Sequence, residues 1–345
     1  MAELRVAVAG AGIIGRTHIE TLGKTSGLAL CAVVDPGLGT TGLAGAPVYP
    51  DLGDALDAVA IDAVIVAAPN DLHRPLTEIA LAAGKPVLLE KPVANDMADG
   101  RALVAAAAKT GVPVLVGHHR RHNPIIRAAK AVIAAGDLGD LVTATVLSTL
   151  PKPPGYFDVA WRSDPRSGGP LAINLIHEID LLRHFWGEIR EVRALVSHAG
   201  RGGAVEDSAG VILGFEDGGL ATLTLTDFGA GPWAWDLSAG ENPGRFPSHD
   251  VTVHAYSGTR AALSLPDLGL WRHPGAPDWT HPMHRETLAH VPGDPYIAQL
   301  AHFAEVVRGR AAPLVTLADG VANMAVIDAI KWAGAEGAPV RPERV

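Results

Sequence analysis

Hydrophobic residues fall along the first third of the chain in short, unbroken blocks. Leu4 to Ala9 reads LRVAVA, Leu28 to Val34 reads LALCAVV, Ala63 to Ala67 reads AVIVA, Pro86 to Leu89 reads PVLL and Val112 to Val116 reads VPVLV. Blocks of this length, rich in Val, Leu and Ile, suit strands covered on both faces of a parallel sheet. Between them the apolar positions recur at helical spacing, over Arg16 to Lys24, over Leu72 to Ala83, and over a segment that Asn95 or Asp96 can cap and that runs to about Lys109. Strands alternating with helices predict a doubly wound parallel sheet. This α/β domain is expected to span residues 1–122.

The pattern changes beyond that point. Asn123-Pro124 opens a helix to about Ala135, and Leu141 to Leu150 is a long β-prone run with no helix directly after it. Residues 151–170 are rich in Pro and Gly, and Leu171 to Trp186 has the spacing of one amphipathic helix. Strand-like runs follow at Val192 to His198, Ser208 to Phe215, Leu220 to Thr226, Asp250 to Tyr256 and Arg260 to Leu265, with Glu216-Asp217-Gly218-Gly219 as a hairpin turn. Residues 228–249 and 266–294 read as loops, and Tyr296 to Arg308 and Leu317 to Ala335 as closing helices. Residues 123–345 are therefore expected to form a C-terminal α+β domain with a large, mostly antiparallel open sheet, serving substrate binding and oligomerisation.

Composition narrows the classes. At 48% hydrophobic and 19% charged residues the chain is expected to fold as a globular protein, and its 345 residues favour two domains. A formal charge of −9 argues against nucleic acid as partner, since phosphate binding needs a basic face. A single cysteine, Cys31, excludes a disulfide framework and is compatible with a reducing compartment. No signal peptide pattern and no apolar run long enough for a membrane span are visible, so a cytoplasmic location is expected.

The first candidate chemistry lies at the end of the first strand. Gly10-Ala11-Gly12-Ile13-Ile14-Gly15 stands between strand and helix, and the second strand ends at Asp35. Gly10 permits a tight turn, Gly12 lets the backbone approach a pyrophosphate, and Gly15 lets the helix pack closely on the sheet. The helix N-terminus offers N–H groups and a positive dipole end to that pyrophosphate. Asp35 has the spacing of an acid that holds the adenosine ribose, which makes this a Rossmann dinucleotide-binding unit. The negative charge of Asp35, with no Arg or Lys in Pro36-Gly37-Leu38-Gly39, favours NAD and makes NADP the lesser expectation. In an open α/β sheet ligands bind outside the carboxyl ends of the strands. Two further turns belong at that edge, Ala68-Pro69-Asn70 with His73 behind it, and Glu90-Lys91-Pro92. A Lys there can meet a cofactor and its substrate together, or can be a surface Lys in an ordinary turn.

The segments GAGIIG, AAPNDLH (67–73), KPVLLEKP (85–92) and GGPLAINLIHEIDLLRHFWGE (168–188) together resemble the Gfo/Idh/MocA family, the group of glucose–fructose oxidoreductase, inositol dehydrogenase and rhizopine-catabolism proteins. The resemblance spans almost the whole chain in the right order. It implies an NAD-dependent dehydrogenase acting on a secondary alcohol of a sugar, sugar acid or cyclitol. Two alternatives stand beside it, an enzyme that uses tightly bound NAD transiently for glycoside cleavage or coupled redox, and a non-catalytic dinucleotide-binding sensor. It also implies a homodimer or homotetramer built through the C-terminal sheet.

By the same resemblance Lys91 sits beside the nicotinamide and polarises the reacting hydroxyl, while His177 transfers the proton. Imidazole suits that task near neutral pH. Many members carry Asp four positions before this His, where the present chain has Ile173. Asn174 and Asp180, three positions to either side of His177, are on the same helical face and are the candidates for substrate contact. Asp180 either orients His177 or ties down a neighbouring backbone. Arg162, after Trp161, reaches substrate or cofactor phosphate, or forms an interdomain ion pair. His118 is expected as a substrate or nicotinamide neighbour. Its companions His119 and His122 lack the partners of a metal site, so no metal is expected.

Overall fold

The computed structural model describes residues 2–39 and 42–345. The chain divides into two compact units, one of Met1–His122, Gly293–Val321 and Val345, the other of Asn123–Pro292 and Ala322–Arg344.

The first unit opens with β1 (Leu4–Ala9), α1 (Ile13–Leu22), β2 (Leu28–Val34), β3 (Val48–Tyr49) and α2 (Leu52–Ala58). It continues with β4 (Ala63–Val66), α3 (Asn70–Ala82), β5 (Val87–Leu89), α4 (Met97–Thr110) and β6 (Val114–Val116). The six strands are all parallel in the order β3-β2-β1-β4-β5-β6. The apolar blocks lie in its middle: Val6, Val8, Ile65, Leu88, Leu89 and Leu115 have no exposed surface. Burying side chains of this size contributes about 1.5–3 kcal/mol each. The chain runs outwards in both directions from β1 and β4, so the switch in strand order falls between these two, where such sheets bind ligands. Asp96 caps α4 by accepting from the Asp99 N–H at 2.8 Å, one of the two caps expected. Elements β3 and α2 had no counterpart in the hydrophobic pattern. A two-residue strand leaves no periodicity to detect, and α2 is held by its Asp51 cap and the burial of Leu52 and Ala55.

The second unit contains α5 (Pro124–Ala134), β7 (Leu141–Thr149), two 3₁₀ turns (Tyr156–Asp158 and Ala160–Ser163), a π-turn (Leu171–Leu175) and α6 (Ile176–Trp186). Then come β8 (Ile189–Ser197), β9 (Ser208–Phe215), β10 (Leu220–Thr226), β11 (His254–Gly258), β12 (Ala261–Leu265), β13 (Gly269–Arg272) and β14 (His284–Thr287). These form an eight-stranded sheet in the order β14-β13-β12-β11-β7-β10-β9-β8. It is antiparallel except where β7 and β10 run parallel at its centre. The molecule is thus a Rossmann-type parallel sheet followed by a large, mostly antiparallel sheet. Alternate residues of the second sheet are buried, among them Val146, Val211, Leu213, Leu223 and Leu225. Helix α6 covers that face, with Trp186 stacked on Phe215 at 4.3 Å and Phe185 edge-on to Tyr256 at 5.4 Å.

The two helices that close the chain are α7 (Pro295–Val307) and α8 (Leu317–Glu336). Residues 293–321, expected with the second domain, pack with the first unit instead. In it the Tyr296 ring meets the His18 ring of α1 at 5.9 Å, Arg308 reaches Gly27 O, and Val116 N donates to Val315 O. Three other expectations shift. The strand expected from Asp250 starts at His254, and the loop expected over 266–294 contains β13 and β14. These strands are four residues long and take their order from β12, not from any pattern of their own. The single helix expected over Leu171 to Trp186 begins as a π-turn. No helix of the described residues is long and apolar enough to cross a membrane.

Candidate active site

In the first unit the glycine turn has the mechanical form its sequence requires. Gly10 adopts φ +96°, and a Cβ there would strike the backbone of Ala67 at the end of β4. A Cβ on Gly15 would run into Gly10 O, so only glycine lets α1 pack this closely on the turn. Gly12, by contrast, has open space where its Cβ would be. It is the N-cap of α1 and no side chain caps that helix, so the N–H groups of Ile13, Ile14 and Gly15 are the unbonded donors of a first turn. The Asp35 carboxylate is fixed beside them. One oxygen accepts from Ala11 N at 2.8 Å and the other from Gly37 N at 2.9 Å. Each oxygen keeps a lone pair for a further donor. A helix N-terminus aimed outwards, a bare Cα and a clamped acid fit a dinucleotide.

The next two strand ends are tied together. His73 of α3 is buried, with Nδ1 2.8 Å from Pro92 O and Nε2 2.9 Å from Ala68 O. It therefore links the Ala68-Pro69-Asn70 turn to the Glu90-Lys91-Pro92 turn. Burial pushes this imidazole below its ordinary pKa, against the two carbonyls, which favour the charged ring. Glu90 is buried as well, and its Oε1 lies 2.8 Å from Nε2 of the fully buried His18. Its other oxygen accepts from Lys91 N at 3.3 Å. Burial pushes the Glu90 carboxyl up, but the His18 hydrogen bond and the charges of His18, Lys91 and His119 outweigh it, and the net shift is downward. Gly117 makes room for this pair, since a Cβ there would overlap the Glu90 carboxylate. Lys91, half-buried, follows Glu90 at the carboxyl end of β5. His118 is buried after β6, with its N–H on Val116 O.

In the second unit His177 lies in the first turn of α6 and is 7% exposed. The residues on either side of it anchor the helix. Glu178 Oε2 lies 2.9 Å from His254 Nε2 of β11, and His254 Nδ1 is 3.0 Å from the Tyr256 hydroxyl. Burial, and next the Glu178 charge, hold that hydroxyl well above its ordinary pKa. Asp180 is 1% exposed and accepts from Asn323 Nδ2 of α8 at 2.8 Å, while Asn323 Oδ1 accepts from Arg183 Nη1 at 2.7 Å. The partner of Asp180 is thus a side chain of α8, where a neighbouring backbone was one of the roles expected for it. Asn174 is half-buried in the π-turn, and its Oδ1 accepts from Lys152 Nζ at 2.7 Å. That turn starts where Gly169, at φ +81°, approaches Glu206, whose Oε1 accepts from Leu171 N at 2.9 Å.

Arg162 lies over the Tyr156 ring at 4.2 Å and donates from Nη1 to Tyr156 O at 2.9 Å. Lys152 approaches the same ring at 5.2 Å. Close by, Arg201 pairs with the buried Asp227 at 2.6 Å. Burial pushes the Asp227 carboxyl up, against the Arg201 hydrogen bond and the charges of Arg201 and Lys152. Lys152, Tyr156, Asp227 and Arg201 were not singled out as site residues, and nothing local marks them. His18 did carry a signal, a polar side chain on the sheet-facing side of α1 beside Gly15, Ile19 and Leu22. Among the described residues no group of three or more His, Cys, Asp or Glu side chains gathers as a metal site would.

Two family matches define the class to which a chain of this architecture belongs. Residues 4–118 match the family described as "Oxidoreductase family, NAD-binding Rossmann fold", and residues 126–259 match the "GFO/IDH/MocA C-terminal domain". The chain belongs to the Gfo/Idh/MocA family of oxidoreductases. It is 29% identical over 289 residues to 1,5-anhydro-D-fructose reductase of Ensifer adhaerens, covering 80% of this chain and 78% of that one. It is 34% identical over 147 residues to inositol 2-dehydrogenase of Corynebacterium glutamicum, covering 41% of this chain and 44% of the relative. Among solved structures, the WlbA dehydrogenase of Bordetella pertussis, in complex with NADH and UDP-GlcNAcA, has the same fold, with a TM-score of 0.81 at 19% identity over 100% of this chain and 99% of that one.

Proposed function

We propose that the protein is an NAD-dependent dehydrogenase acting on a secondary alcohol of a sugar, sugar acid or cyclitol. The observation that carries this reading is the lysine at the carboxyl end of β5, its backbone N–H on the carboxylate of the buried His18–Glu90 pair, in the same unit as a glycine turn and acid built for a dinucleotide. The relatives named above act on a sugar derivative or an inositol, which supports the substrate class. Bound nicotinamide supplies the two-electron acceptor. Gly12 and the N-terminus of α1 take the pyrophosphate, and Asp35 accepts from the ribose diol. The Lys91 ammonium would stabilise charge on the carbinol oxygen as the carbinol carbon gives up its hydrogen as hydride to the nicotinamide. The hydroxyl proton goes to the His177 imidazole, whose helix is fixed at Glu178 and Asp180. The outward face of the second sheet carries Leu195, Ile212 and Leu220, all well exposed, and a second copy of the chain covers it in this reading.

The test is formation of NADH from free NAD over a panel of polyols, aldoses, aldonates and inositols. Steady turnover with at least one compound is expected. Cofactor that co-purifies without net turnover, or no turnover with any compound, would overturn the reading.

A further inference from the structure

We infer that the second unit holds a carboxylate-recognising subsite made by Arg162, Lys152 and Asn174, so that the substrate is an anionic polyol of the hydroxy-acid or uronic-acid class. The inference rests on the proposed function, because it narrows the substrate of that same site.

Arg162 carries most of the argument. A guanidinium has five N–H donors in a rigid fork. Here one bond is made to protein, from Nη1 to Tyr156 O at 2.9 Å. Nε is buried and meets no acceptor among the described residues. Leaving a buried donor unpaired is unfavourable, so hydrogen bonding within its own loop does not explain where this side chain sits. The aromatic faces of Tyr156, at 4.2 Å, and Trp161, at 5.6 Å, hold the charge in place. Its terminal nitrogens remain able to grip an external oxyanion in the two-pronged manner suited to a carboxylate.

Lys152 brings a second positive charge to the same tyrosine ring, at 5.2 Å, and its Nζ donates to Asn174 Oδ1 at 2.7 Å. That bond decides which end of the amide is left over. With Oδ1 occupied, Asn174 offers its NH₂, and this residue lies three positions before His177. Of the acids close by, Asp227 is buried and committed to Arg201 at 2.6 Å, and Asp158 is exposed on the Tyr156 turn. The group is therefore made of donors. A neutral polyol presents O–H donors that need acceptors as much as it presents acceptors, and donors alone serve it poorly. A carboxylate has acceptors only, and matches.

The experiment uses the full chain with NAD. Binding of D-gluconate, D-galactonate and D-glucuronate is measured by calorimetry beside D-glucitol, D-glucose and myo-inositol, with 6-phosphogluconate and glucose 6-phosphate as a phosphate arm. Turnover with NAD is followed on the same panel. At least one acid is expected to bind tenfold or more tighter than its neutral counterpart. Arg162→Met and, independently, Lys152→Met are expected to weaken that acid by roughly 10- to 100-fold, the range for losing a charged hydrogen bond, while neutral compounds change little. Arg162→Lys should recover part of the loss, and thermal unfolding checks that each variant is folded. Equal binding of acids and neutral polyols by the native chain would overturn the inference, as would preference for a phosphate ester lacking a carboxylate, or loss of acid and neutral compounds alike in folded variants. Selective acid binding without NADH formation would keep the subsite and sink the dehydrogenase reading. Turnover of neutral polyols alone would do the reverse.

Discussion

Asp35 accepts two backbone hydrogen bonds and is kept by them at the exit of β2. A 2′-phosphate would bring negative charge against it, with no Arg or Lys in residues 36–39 to offset the repulsion. A higher kcat/KM with NAD than with NADP is expected, and Asp35→Ala should narrow the gap chiefly by weakening NAD. A clear NADP preference in the native chain would refute this. For His177, replacement by Gln should lower kcat by roughly 10² to 10⁴ with little change in NAD affinity, the range for loss of a general base. Lys91→Arg should fail to restore what Lys91→Ala loses, since a planar guanidinium is larger than an ammonium and spreads its charge over a different shape. His73 supplies a pH test. Its folded-state pKa is lowered, so below the ordinary value of 6.5 the unfolded chain takes up a proton that the folded chain resists. Stability from this group is complete above 6.5 and declines as pH falls towards the folded-state value. Denaturant unfolding between pH 7.5 and 5 should show a shallower acid slope in His73→Gln than in the native chain. Parallel slopes would remove the residue from this role.

At the scale of elements, two helix starts depend on glycine for different reasons. Gly15→Ala places a methyl group against the Gly10 carbonyl, a backbone atom that cannot turn aside. A loss of about 3 kcal/mol or more is expected in denaturant unfolding, at or beyond the upper end for overpacking. Gly169→Ala combines a left-handed φ of +81° with a contact on Glu206, whose carboxylate receives the first N–H of the π-turn. About 1–3 kcal/mol of strain is expected, together with lower turnover, because the turn carries Asn174 and leads into His177. Unchanged turnover would separate the turn from the site. Helix α6 itself is positioned by long-range polar partners, His254 and Asn323, and not by helix propensity.

At the scale of the whole molecule, the outer face of the open sheet carries three exposed apolar side chains at its β8 to β10 end, among threonines and arginines. Leu195 is 79% exposed, Leu220 53% and Ile212 46%. Exposed apolar side chains grouped on one sheet face are a common mark of an interaction surface. In light scattering the native chain is expected to run as a dimer or tetramer, with Leu195→Lys shifting it towards the monomer. A native monomer at micromolar concentration would remove the sheet as an assembly surface.

Much of this was legible in residue order, because the signals were local. Unbroken apolar blocks alternating with helical spacing announce a parallel sheet, and GAGIIG followed by Asp35 announces its dinucleotide edge, since a tight turn, a close approach and a bare Cα each demand glycine at a set position. The roles expected of Lys91 and His177 came instead from the family resemblance of the segments around them. What residue order left open was settled by contacts between residues far apart in the chain. The return of residues 293–321 to the first unit, the parallel pairing of β7 with β10, and the pairs His18–Glu90, Asp180–Asn323 and Lys152–Asn174 have no periodicity and no fixed spacing. The alternatives for Asp180 show the limit well. Helical spacing puts it on the face of His177, but only the packing of α6 beside α8 decides that its carboxylate meets Asn323 and is buried there.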